Sequence, residues 1–148
     1  MEFDKDFLGK LFEQAVTNPR LRQNFDLRTS PADTSQRMLN ALLPGTKVPI
    51  HRHENTTETV ICLVGKLEEI IYEEVNEYVH EATSCCDDVI RQKNFKEVSR
   101  QILSPAEGKF GIQIPAGAWH TINVIEPSVI FEAKDGAYNE SGNTTDKE

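Results

Sequence analysis

Basic residues are scarce in this sequence and nowhere clustered: 16 Lys and Arg stand against 24 Asp and Glu, a formal net charge of -8. Such a chain repels phosphate backbones and anionic lipid, which argues against nucleic acid and membrane surfaces as partners. Long apolar runs are missing too. The opening MEFDKDFLGKLFEQAV sets Phe3, Phe7, Leu8, Leu11, Phe12 and Ala15 at helical spacing, but acidic residues interrupt them. The segment is therefore expected to be an amphipathic helix over 1–18, neither signal peptide nor membrane span, stopped by Pro19. Cysteine is sparse and odd in number. Cys85 and Cys86 are adjacent, a spacing poorly suited to a disulfide, and with Cys62 they form no zinc-finger pattern, so a reducing, cytoplasmic setting is expected. No internal repeat of 20–50 residues is visible, which argues against solenoids and propellers.

What is present is a chain of 148 residues, 38% hydrophobic and 27% charged, the size and balance of one globular domain. Short runs rich in β-branched and apolar residues recur around 36–43, 48–53, 58–64, 67–73, 96–103, 109–114, 119–125 and 128–134. Pro44-Gly45, Gly65, Pro105, Gly108, Pro115, Gly117 and Pro127 punctuate them. This rhythm predicts a mainly β fold, an antiparallel sandwich or jelly roll, within a single domain over 1–138 whose barrel occupies 36–134. The acidic stretch 75–95 breaks the rhythm and reads as an irregular insertion, and the polar tail 139–148 as disordered.

The chemistry concentrates in GTKVPIHRHENTTETVICLVG. His51 and His53, two apart on a strand, point to one face, and Glu58 follows after a loop long enough to bring its carboxylate back towards them. His120, launched by the Pro115 and Gly117 turn in IPAGAWHTINV, is the fourth candidate donor. Three imidazoles and a carboxylate suit one divalent transition metal, iron, manganese, nickel, zinc or copper, better than calcium or magnesium. Strand alternation puts Val60, Cys62 and Val64 on the face of Glu58, and Ile122 and Val124 on that of His120. The expected pocket is thus lined by Val60, Cys62, Ile122 and Val124, while Arg52 points away. Ile61 and Leu63 face outward and need cover from the N-terminal helix or from a second copy in a homodimer. His80 reads as a solvent-exposed histidine, and Arg37 and Lys134 as cations that could meet an anionic substrate, or as plain surface residues.

The spacing Gly45, His51-Arg52-His53, Glu58, Gly65 resembles the first cupin motif throughout. Pro115, Gly117 and His120 resemble the second, although Gly108 sits one residue early and Val124 stands where an Asn is usual. Beyond the motifs, QRMLNALLPGTKVPIHRH and IPAGAWHTINVIEPSVIFEAKDGAY resemble the WbuC family of small cupin-fold metalloproteins over Arg20 to Tyr138. The resemblance implies a double-stranded β-helix holding a metal, in a bacterial cytoplasm, in the context of surface-polysaccharide metabolism. It implies no particular reaction. A Lewis-acid isomerase or epimerase, or a dioxygenase, acting on a sugar or sugar nucleotide is one expectation. A non-catalytic carbohydrate or metabolite binder is another, and a closed structural metal site a third.

Overall fold

The computed structural model describes residues 1–83, 86–139 and 143–145, with side chains at 1–77 and 93–139. The N-terminal helix α1 (Lys5–Thr17) starts where Asp4 accepts a hydrogen bond from the Phe7 N–H at 2.9 Å, and ends at Asn18. Its apolar stripe packs Leu11 and Ala15, with Phe7, Leu8 and Phe12 beside them, onto Leu39, Ala41 and Val129.

The rest is antiparallel sheet, eight strands among the described residues. They are β1 (Arg22–Asp26), β2 (Ser35–Leu42), β3 (His51–His53), β4 (Glu58–Thr83), β5 (Cys86–Leu103), β6 (Gly111–Ile114), β7 (Trp119–Asp135) and β8 (Asn143–Thr145). Two long strands organise the barrel. β4 and β7 pair along their length, from Glu58 opposite Lys134 to Tyr72 opposite Trp119. The register slips between Cys62 and Leu67, so the ribbon bends there and serves both layers. β2 joins the C-terminal half of β7, β1 joins β2, and β3 meets the N-terminal half of β7 through His51 opposite His120.

Alternation then sorts the side chains. On β2, Leu39 and Ala41 face the helix while Leu42 faces inward with Val60, Cys62, Leu67, Leu103, Ile114, Val124 and Ile130. Two apolar layers result, one inside the barrel and one between sheet and helix, each fully buried Leu or Ile contributing about 1.5–3 kcal/mol.

Several expectations need correction. The 75–95 segment is not irregular: it is part of the β4–β5 hairpin, paired from Leu67 opposite Leu103 to Thr83 opposite Cys86. The polar stretch after Pro19 contains β1, which hydrogen bonding to β2 holds in place despite its composition. Asn143–Thr145 of the supposedly disordered tail pairs with β3, and the rest of 140–148 lies outside the described residues. So do Cys85 and the side chains of His80 and Cys86. Val64 does not follow the parity of Glu58 but is 40% exposed, because the register slip intervenes. Helix α1 covers β2 and β7, not Ile61 and Leu63.

Gly65 sits at the bend with φ +95°, and a Cβ there would fall on the Pro127 carbonyl and on Ser128. Gly117 has a similar φ of +80° but open space around it. Gly65→Ala should therefore cost roughly 2–4 kcal/mol and Gly117→Ala about 1 kcal/mol, read from chemical denaturation midpoints; equal costs would mean the bend tolerates a side chain.

Candidate metal centre and its cavity

Pairing of β3 with β7 sets His51 beside His120, and alternation on β3 returns His53 to the same side. Glu58 opens β4 after the connection from His53 and is 3% exposed; His53 and His120 are 8% and 3% exposed. The candidate donor atoms of all four residues lie within 4.8 Å of one another. His53 Nε2 stands 2.8 Å, and His120 Nε2 3.4 Å, from Glu58 Oε2.

The backbone fixes which imidazole nitrogens face this centre. His51 Nδ1 lies 2.9 Å from the Pro49 carbonyl, and His120 Nδ1 2.9 Å from the Ala118 carbonyl. A carbonyl only accepts, so both Nδ1 atoms carry a proton, and each ring turns its Nε2 toward the centre. Burial, with the His120 ring beside it, lowers the His51 pKa to about 4, which keeps that ring neutral near pH 7. Burial works against an ionised Glu58, but the neighbouring His120 and His53 rings and Lys134 outweigh it and hold the carboxyl well below its usual value. Despite that proximity, Glu58 Oε2 is buried without a hydrogen bond of acceptable geometry. A divalent ion held between the imidazoles and this buried oxygen would give it a partner. Donors about 2.1 Å from one ion sit about 3–4 Å apart, a spacing these residues approach. The set fits a transition metal, with imidazoles oriented by carbonyls as second-sphere groups commonly orient them.

His51, Glu58 and His120 also line a cavity of about 370 Å³, within the range of small-molecule sites. Its walls are largely polar. Among the residues expected to line the pocket, only Ile122 does so; Val60, Cys62 and Val124 sit deeper, in the barrel core. Each inward strand face changes character at one level. Leu42 gives way to Asn40, Val60 to Glu58, Leu67 to Glu69, Ile130 to Glu132, and Val124 through Ile122 to His120, two residues at a time. Sequence reasoning missed Asn40, Glu69 and Glu132, although parity with their apolar neighbours could have found them. Burial, then the charges of Glu58 and Glu132, raises the Glu69 pKa well above normal. Burial and the Glu58 charge push Glu132 up to about 8. The cations at the cavity are Arg20 and Arg22. Arg37 is instead paired with Asp33 at 3.2 Å, and Lys134 lies opposite Glu58 on the next strand.

Arg52 points away from this centre. Its guanidinium lies 4.7 Å from the Trp119 ring centroid and 3.1 Å from Glu54.

An antiparallel roll with three histidines and a glutamate gathered at its mouth defines a cupin-fold protein, and solved structures share that fold. Oxalate oxidase in complex with the substrate analogue glycolate superposes with a TM-score of 0.56 at 12% identity, over 87% of this chain and 57% of that one. The capsular polysaccharide assembling protein CapF from Staphylococcus aureus gives 0.54 at 17%, over 87% and 32%. KdgF from Halomonas sp. gives 0.51 at 14%, over 84% and 87%. The chain thus spans little more than half of the oxalate oxidase and a third of CapF. By sequence, residues 3–83 match the family described as a domain of unknown function, DUF6016, and the chain belongs to that family. A comparison with curated proteins gave no sequence match.

Since Arg52 stacks on the outer face, Arg52→Ala should leave metal content unchanged while lowering stability by about 1 kcal/mol through loss of the indole stack. Loss of metal in that variant, by elemental analysis, would mean that the β3 register is wrong.

Proposed function

We propose that this chain is a divalent-metal cupin that takes a small hydroxylated molecule, a sugar or sugar nucleotide, into the cavity beside His51, Glu58 and His120. Within this reading His51, His53, Glu58 and His120 hold the ion. The observation that carries it is the buried Glu58 Oε2, without a hydrogen bond of acceptable geometry, in a group of four candidate donors that all lie within 4.8 Å of one another. When bound, a divalent ion supplies a Lewis acid that polarises a ligand oxygen.

The chain's own groups favour an open site over a closed structural one. Three of the four donors line the cavity, and Glu69 and Glu132 add carboxyl groups to its wall beyond the donor set. Those carboxyls support catalysis, isomerisation or epimerisation of the bound sugar, over passive binding. The resemblance to WbuC, together with the likeness in fold to a protein named for capsular polysaccharide assembly, supports a place in bacterial polysaccharide metabolism. A cytoplasmic homodimer belongs to the same reading, and the adjacent Leu63 and Val64, 39% and 40% exposed, offer apolar surface for it.

The test is metal content. His51→Ala, His53→Ala and His120→Ala should each remove most of the metal retained by the parent protein, and Glu58→Gln should weaken retention less, since the amide oxygen remains a donor. Elemental analysis of protein purified without added metal checks this. Full stoichiometry in all three histidine variants sinks the assignment.

A further inference from the structure

Two buried oxygens outside the proposed donor set are left without partners in the same cavity. Glu69 is 2% exposed, yet its Oε2 has no hydrogen bond. Asn40 Oδ1 is likewise buried and unpaired. Both residues line the cavity, and each leaves a side-chain oxygen there free to hydrogen-bond a ligand. Each unpaired buried polar atom destabilises a fold by about 1–3 kcal/mol, so a cavity with two favours a molecule that hydrogen-bonds to them. Hydroxyl groups fit both, since they donate to an amide oxygen and either donate to or accept from a carboxyl.

The cationic side of the cavity narrows the class further. Arg20 and Arg22 reach it from the N-terminal side and β1, and Arg22 is partly buried, with Nη1 hydrogen-bonded to the Lys47 carbonyl at 3.1 Å. That bond fixes the guanidinium and leaves its other N–H groups for a second acceptor. With a dication at the four donors, two guanidiniums and the ion outweigh the carboxylates of Glu58, Glu69 and Glu132 even when all three are ionised. The cavity then favours an anion. At about 370 Å³ it holds one sugar-sized unit, and little remains for a nucleotide.

We propose that Asn40, Glu69 and Arg22, which line this cavity from both layers, form a subsite for a polyhydroxylated carboxylate of single-sugar size, Asn40 and Glu69 hydrogen-bonding to its hydroxyls and Arg22 binding its carboxylate. This deepens the sugar reading above and rests on it. It selects an acidic monosaccharide derivative over a neutral sugar or a sugar nucleotide.

Glu69→Leu separates a ligand-binding role from a structural one. Removing an unpaired buried carboxyl in favour of an apolar side chain should raise the melting temperature of the unliganded protein, while affinity for an acidic sugar should fall at least about tenfold. Arg22→Gln should cost a similar factor for the acid and leave neutral sugars unaffected. Isothermal titration calorimetry on the zinc-loaded full chain, with D-gluconate, D-galacturonate, D-galactose and glucose 6-phosphate as probes, reads these effects, alongside the metal content of each variant. The expected result is binding of gluconate or galacturonate at least about tenfold tighter than galactose and glucose 6-phosphate, weakened by Glu69→Leu and by Arg22→Gln at unchanged metal content. Equal affinity for galactose, preference for the phosphate, no binding of either acid, or indifference to both substitutions would overturn the inference with the metal reading intact. Should the parent protein hold no metal yet bind the acids in this residue-dependent way, the metal reading fails and the subsite stands.

Discussion

The constraint on which the rest of this structure depends is electrostatic: a carboxylate and three imidazoles are crowded into one largely buried space. Glu58 Oε2 lies 2.8 Å and 3.4 Å from two imidazole nitrogens without forming a hydrogen bond of acceptable geometry. The Pro49 and Ala118 carbonyls prevent His51 and His120 from turning their Nδ1–H groups inward. A barrel that gathers such groups at one point sacrifices stability there, and the packed layers around Leu42, Ile130 and Leu39 supply the compensation. The cavity forms where the inward faces pass from apolar to polar.

That transition also explains why the fold and the site are inseparable. The bend between Cys62 and Leu67 brings two parts of β4 alongside β7, so that Glu58 and Glu69, eleven positions apart in sequence, face one cavity. Gly65 permits the bend because any side chain would meet Pro127 and Ser128. A glycine that contacts no ligand thereby sets the relation between a proposed metal donor and a cavity carboxyl. The β4–β5 ribbon adds a second consequence: the Phe95 ring on β5 packs, tilted, 4.9 Å from that of Trp119, the residue next to His120, so the base of the hairpin is tied to the strand that carries the site.

Strand rhythm, an N-terminal helix ending before Pro19, and the convergence of His51, His53, Glu58 and His120 were all legible in the sequence. Alternation and short loops are local properties, and local geometry decides which side chains share a face. Parity also gave the outward direction of Arg52 and the inward direction of Val60 and Cys62. What parity alone could not give was depth. Val60, Cys62 and Val124 share a face with the donors, yet they lie in the core below the cavity, because position along a strand, and not face, separates floor from mouth. Parity also breaks at a bulge, which is why Val64 is exposed.

The sequence by itself determined the fold class and the candidate donors, since both follow from residue types at spacings of two and from turns a few residues long. Tertiary structure alone decided the character of the cavity. Arg22, Asn40, Glu69 and Glu132 come from β1, β2, β4 and β7, and only the pairing of those strands brings them to one cavity. It also decided the fate of 75–95, whose composition suits loop, helix or ribbon equally, and which becomes a ribbon because Leu67 and Leu103 start a ladder that antiparallel hydrogen bonding then extends. Pairing partners far apart in sequence leave no periodic trace in either strand, and so they had to be seen.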